Sequence, residues 1–310
     1  MNINSEVIIS LCSNLAANQN INPFKPSEWS VFAEKLMRAG LTPKSLISMS
    51  VSEYSRLLNL GYEECKRIEK LLARKNFLFT EIKKYADMGI YIITRADAEY
   101  PAMLKLKLKQ NCPPLFYCFG NLDILKKECV GFVGARNIDY DDIRFTELTV
   151  DKINSLGYSV VSGGARGTDS VAEMKSIENN NFVVEYVPDS LMKRAAVKNK
   201  FFNHIIILSA AEPDAEFTTV SALTRNRYIY AHSLGTVAVK SDYKKGGTWH
   251  GASDCIKHGI STVFCRNLNI RGNAELISLG AIPIDENWDG DIKRYILSEF
   301  EKNIQLSLLD

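Results

Sequence analysis

Long apolar runs are missing from this chain of 310 residues. None approaches the roughly 20 residues needed to span a bilayer, so no membrane segment is expected. Histidine is scarce, and His204, His232, His250 and His258 show no ligand spacing. The last two lie eight apart on one expected helix, which does not make a metal pair. The seven cysteines, Cys12, Cys65, Cys112, Cys118, Cys129, Cys255 and Cys265, are odd in number and scattered. They fit neither a disulfide framework nor a CxxC metal site, and buried free thiols in a reducing cytoplasm are expected instead. The N-terminus lacks a basic segment followed by a long apolar run, so no signal peptide is expected. Net charge is only +2, so any site for a polyanion has to be local. Catalytic signatures are absent too: no GxxxxGK[ST], no GxSxG and no nameable Ser-His-Asp arrangement. No strand is followed by GxGxxG with an acidic residue roughly 20 positions on, which weakens a nicotinamide reading. A binder without catalytic residues, cofactor or metal is the expectation.

What is present is an ordinary globular composition, 46% apolar and 24% charged, in a chain long enough for one large and one small domain. The organising stretch is residues 129–170. Cys129 to Val133 is an apolar run that stops at Gly134; Phe145, Leu148, Ile153 and Leu156 recur near helical spacing; Gly157 ends that helix. Tyr158 to Val161 is a second apolar run, followed by Ser162-Gly163-Gly164-Ala165-Arg166-Gly167-Thr168-Asp169. Two parallel strands would deliver these small-residue turns to one sheet edge, where helix N-termini favour anions and open α/β sheets bind ligands. Arg136 and Arg166 add charge there, and Asp169 has the position to cap the following helix. Strands and helices then alternate: strands 182–187, 204–209, 236–240, 261–265 and 281–284, helices 189–198, 224–232, 248–258, 273–279 and 291–301. The alternation predicts an α/β protein with a doubly wound, mostly parallel sheet. Residues 1–75 read as short helices and form an expected small domain; 76–290 would be the α/β core, and 291–310 a closing helix and tail. Lys66, Arg67, Lys70, Arg74 and Lys75 crowd one helix, either as a solvated basic face or as an auxiliary DNA or partner contact.

Several motifs carry a resemblance. Gly134-Ala135-Arg136-Asn137 followed by the 162–169 turn resembles the DNA-processing protein A (DprA, or Smf) family, whose pattern is Gly-Ser/Thr-Arg, a helix, then Ser-Gly-x-Ala-x-Gly-x-Asp. Five further matches follow the family's order. Upstream, Tyr100-Pro101-Ala102-Met103-Leu104 and Pro113-Pro114-Leu115-Phe116-Tyr117 precede the core. Downstream come Arg225-Asn226-Arg227, placed by the family at the start of a helix, then Gly246-Gly247-Thr248, and then Gly272-Asn273 through Gly280-Ala281. The segment around Gly61 is similar to the glycine turn of the helix-hairpin-helix or sterile-alpha-motif-like module that relatives often carry. Three departures stand out: Glu173 where a histidine is usual, Lys240-Ser241 where Glu-Ala is common, and Asp139-Tyr140-Asp141 in the first loop.

The resemblance implies an extended Rossmann-like fold behind a small helical N-terminal domain. It implies a cytoplasmic single-stranded DNA-binding protein of DNA uptake and recombination, a homodimer that hands strands to a RecA-type recombinase. Carried onto this chain, the phosphate-binding set is Gly134, Arg136, Ser162, Gly163, Gly164, Arg166, Gly167, Thr168, Asp169, Arg225, Asn226, Arg227, Lys240, Gly246, Gly247, Thr248 and Asn273. The glycine turns would offer backbone N–H groups and the cations would supply salt-dependent attraction without base specificity. Two alternatives stay open: a nucleotide-binding sensor or hydrolase of the wider Rossmann group, and an interaction module in phage defence. Hydrolysis is disfavoured because Lys245-Gly246-Gly247-Thr248-Trp249-His250-Gly251 lacks the glutamate of the phosphoribohydrolase turn.

Overall fold

The computed structural model describes residues 1–15 and 21–297. In chain order the elements are α1 (Ile3–Cys12), α2 (Pro26–Arg38), α3 (Val51–Leu58), α4 (Tyr62–Ala73), α5 (Lys75–Ala86), β1 (Ile90–Thr94), α6 (Ala102–Leu108) and β2 (Leu115–Gly120). There follow β3 (Cys129–Val133), α7 (Tyr140–Ser155), β4 (Ser159–Ser162), α8 (Thr168–Glu178), β5 (Val183–Tyr186), α9 (Leu191–Lys198), β6 (Ile205–Ser209) and α10 (Thr219–His232). The last are β7 (Gly235–Ala238), α11 (Gly246–His258), β8 (Thr262–Arg266), α12 (Arg271–Ser278) and β9 (Ile282–Ile284). The expected closing helix 291–301 is helical over 292–297, and its remainder lies outside the described residues. None of the described helices is long and apolar enough to cross a membrane.

Contacts divide the chain into two units. The first comprises residues 1–120 with 189–199 and 208–216. Polar as well as apolar contacts stitch it together. Ser5 donates to Asp97 at 2.7 Å, and the Ser13 and Tyr117 hydroxyls meet at 2.8 Å. Arg74 is buried and donates to the carbonyls of Ser10 (2.9 and 2.8 Å) and Ser13 (2.6 Å). This closes the question of the basic helix face for most of its members: Arg74 faces inward, Arg67 pairs with Glu28, Lys75 with Glu6 and Lys66 with Glu69. β1 and β2 pair antiparallel from Ile90↔Phe119 to Thr94↔Leu115.

In the second unit the strands run β6-β5-β4-β3-β7-β8-β9, and the ladders from β5 to β9 are parallel. β3, β4, β5 and β7 are buried at every position, as strands covered by helices on both faces must be. Connections from β3 lead outward through β4 and β5, and the chain then returns to place β7 on the other side of β3. The order reverses between β3 and β7, and the turns after these strands diverge to leave a crevice there. The fold is thus the expected extended Rossmann-like, doubly wound α/β class.

Removing Arg74 leaves two buried carbonyls without their donor, at about 1–3 kcal/mol each. Arg74→Met is expected to lower chemical-denaturation stability by roughly 3 kcal/mol. An unchanged midpoint would show that the guanidinium does not hold α1 in place.

Candidate nucleic-acid interface

A cleft of about 760 Å³ opens at the carboxyl ends of β3, β4 and β7. Its walls come from four segments that contact one another directly. The turn after β3 (Gly134 to Asn137) and the turn after β4 meet where the Thr168 amide donates to the Ala135 carbonyl at 3.2 Å. Gly167 makes that approach possible: its φ is +89°, and a Cβ there would lie 2.4 Å from the Ala135 oxygen. The start of α11 is tied in when Thr248 Oγ1 donates to the Gly134 carbonyl at 2.8 Å. Asn226 Nδ2 of α10 donates to the Gly247 carbonyl at 3.3 Å.

Asp169 is the pivot of the second turn. Its Oδ2 accepts from the amides of Gly163 (3.1 Å) and Ala165 (3.3 Å), while the Gly164 amide donates to Ser162 Oγ at 3.2 Å. The amides of Gly163, Gly164 and Ala165 are therefore spent inside the turn, which at these positions is a shaped wall rather than an amide cradle. Ser162 also donates to Glu173, the residue that departs from the family's histidine. Burial pushes the Asp169 carboxyl up to about 6, against the pull of Arg225 and with the push of Glu173. Arg225 is buried, and a Cβ on Gly163 would lie 1.3 Å from its Nη1, so only glycine lets the guanidinium pass under the turn.

The Arg225-Asn226-Arg227 run does not act as one phosphate clamp. α10 begins at Thr219, five residues before its expected start, because Thr218 caps it by accepting from the Ser221 amide at 2.9 Å. The run therefore sits inside the helix, where successive side chains diverge by about 100°. Arg225 turns under the Gly163 turn, Asn226 reaches Gly247, and Arg227 points to Asp254 with bonds of 2.8 and 3.1 Å. Arg227 lines a separate groove of about 850 Å³ with residues of α11 instead of the cleft.

Lys240 lines the cleft but is already neutralised. It donates to Asp139 at 2.9 Å and Asp142 at 2.6 Å, bonds that raise its pKa, with the Asp142 bond the larger cause. Asp142, buried, also receives Arg266 at 2.8 Å. Asp139 caps α7, so that helix start carries carboxylates and is closed to anions. Asn273 is buried and serves the scaffold, accepting from the Ser241 amide and donating to the Val239 and Arg266 carbonyls. Arg166 is exposed and Thr168 buried, and neither lines the cleft.

The anion-accepting groups that remain are Arg136, exposed at the cleft, Lys245, and the start of α11. α11 runs 13 residues from Gly246, no side chain caps it, and its first amides lack intrahelical partners. Together they bring positive charge and N–H donors to the cleft, where exposed Asp242 is the acid beside them. The opposite wall is apolar, with Phe217, Ala222 and Leu223. Lys245 and Phe217 were not in the expected set; Lys245 stood beside the matched glycine turn, whereas Phe217 lay in an apparent loop with no motif around it.

The fold defines a doubly wound α/β protein with a cleft at its switch point, lined among others by Arg136, Lys245 and the start of α11. The DNA recombination-mediator protein A family model matches residues 91–290, and the chain belongs to that family. Curated relatives include protein Smf of Synechocystis sp., 24% identical over 71% of this chain and 62% of that protein. Another is DNA processing protein DprA of Bacillus subtilis, 24% identical over 52% of this chain and 56% of that one. The chain thus spans roughly half to three fifths of the curated relatives it matches. Among solved structures, DprA of Streptococcus pneumoniae aligns with a TM-score of 0.63 at 19% identity, over 84% of this chain and 95% of that one. DprA of Helicobacter pylori aligns at 0.54 and 22%, over 69% and 96%.

The raised pKa of Asp169 fixes a sign. Folded, it holds its proton to about pH 6; unfolded, it releases it near 3.8. Its contribution to stability is present below the unfolded value and is lost as pH rises through 6, by up to about 3 kcal/mol. The stability difference between wild type and Asp169→Asn, followed by urea unfolding, is expected to shift against the wild type between pH 4 and 6.5 and level off above. A difference independent of pH would mean that Asp169 titrates normally.

Proposed function

We propose that the chain is a non-catalytic DNA-processing protein that captures single-stranded DNA by its phosphates in the cleft between β3 and β7. One observation carries the reading: the uncapped start of α11, with Lys245 and Arg136 on the same rim, faces a neutral apolar wall. Phosphate oxygens suit the rim and unpaired bases suit the wall, a division of labour that needs no base-edge readout. Duplex DNA presents its phosphates without free base faces and matches this pairing less well. Family membership supports the direction, and the H. pylori relative is one for which a single-stranded DNA binding mode has been described. Recombinase hand-off, a homodimer and a cytoplasmic setting belong to the proposal on family membership alone. The expected domain division, with a helical module at 1–75, also stays a proposal about what folds independently.

In fluorescence-anisotropy titrations with labelled oligo-dT, Arg136→Ala and Lys245→Ala are each expected to weaken binding about fivefold and to reduce the salt slope by about one. Arg227→Ala, pointing away, is expected to change affinity less than about twofold. Binding of a mononucleotide with a thermal shift, and of no oligonucleotide, would replace single-stranded DNA by a free nucleotide as the ligand.

A further inference from the structure

Beside the cleft, the loop from Ser241 to Lys245 carries a second group of side chains. The Arg271 guanidinium carbon lies 4.1 Å from the centroid of the Tyr243 ring. Lys244 Nζ lies 5.1 Å from the same ring, and Trp249 meets it edge-on at 4.9 Å. Arg271 has 71% of its side chain exposed, and Lys244 is exposed as well. The next residue, Lys245, already lines the cleft.

The cluster is held rigidly. The Ser241 amide donates to Asn273 Oδ1 at 2.9 Å, and Asn273 in turn donates to the carbonyls of Val239 and Arg266. A Cβ on Gly272 would lie 1.7 Å from the Ser241 carbonyl oxygen, so the first turn of α12 is in backbone contact with the loop. Such support is what a preorganised contact needs, because little ordering remains to be done on binding. Two acids stand near: exposed Asp242, and Glu275 at 3.8 Å from Arg271. The Arg271–Glu275 pair is exposed on both sides and of small energy. Three cations, Lys244, Lys245 and Arg271, outnumber them.

We propose that Tyr243, Arg271 and Lys244 form a second single-strand subsite, which takes the nucleotide following the one in the cleft. A guanidinium stacked on an aromatic ring presents a flat outer face to a base, and Lys244 is placed for the adjoining phosphate. The contact reads any base, since every base has a π-face. The inference rests on the reading of the cleft as a single-strand site.

The test uses the whole chain and two labelled strands of equal length, oligo-dT and an abasic sugar-phosphate strand. Arg271→Ala is expected to weaken oligo-dT binding about tenfold and abasic binding less than about twofold. Arg271→Lys keeps the charge without the plane and is expected to recover little of the loss. Arg136→Ala is expected to weaken both strands. Equal loss on both strands, no loss on either, or full recovery in Arg271→Lys overturns the stacking subsite while leaving the cleft intact. Wild type that binds neither strand overturns the cleft reading and the subsite with it. Thermal midpoints matching wild type confirm that the variants are folded.

Discussion

A buried carboxylate organises the site. Asp169 accepts from the amides of Gly163 and Ala165, and thereby curls the turn after β4 onto itself. The buried Arg225 guanidinium beneath Gly163 is its long-range counter-charge, pulling against the burial that pushes its pKa up. Glycine at 163 is required by that passage, glycine at 167 by the contact with the Ala135 carbonyl. Two turns from adjacent strands are thus locked together, and the wall they build cannot adjust to a ligand. In the proposed reading the donors that meet a ligand come from the far side of the switch point, at the uncapped start of α11.

A second constraint is electrostatic and links positions far apart in sequence. Asp139 and Asp142 would place two carboxylates at the mouth of the cleft, where a phosphate could not approach. Lys240 across the β3–β7 seam takes both, and Arg266 takes the remaining oxygen of Asp142. Two residues that depart from the family pattern, Asp139 in the first loop and Lys240 after β7, therefore pair with each other. The mouth becomes roughly neutral, and Arg136 and Lys245 are left to set its sign. A partly buried four-membered network of this kind also ties the loop after β3 to the strands across the reversal.

The alternation of strands and helices was legible because parallel strands covered on both faces must be apolar throughout, and β3 to β8 are short, unmistakable runs. The turns were legible for the same local reason: only small residues allow the close approaches seen at Gly163 and Gly167. What the sequence could not show was direction. Whether the amides of the 162–169 turn face a ligand or Asp169 depends on where one carboxylate folds back. Whether Arg225 and Arg227 converge depends on the register of α10, set by a Thr218 cap that resembled ordinary loop chemistry. Charge partners were equally hidden, since Lys240 meets Asp139 across 101 positions. The contact division at Gly120 follows contacts between α1 and β2, which join segments far apart in sequence.

These directions decide which physics is available for binding. Had the second turn offered its amides, the cleft would have carried two amide nests and would have suited a compact polyphosphate. With those amides committed, one helix start and two exposed cations remain, in a cleft whose lining also includes Phe217. A single phosphate satisfies that rim, and further affinity has to come from apolar contact with a base or from neighbouring phosphates along a chain. The rim continues through Lys245 to Lys244 and Tyr243 without a change of charge sign apart from Asp242. A linear ligand with one charge and one flat apolar group per repeat fits this geometry better than a compact one, which is the physical content of the proposed preference for a single strand over a free nucleotide.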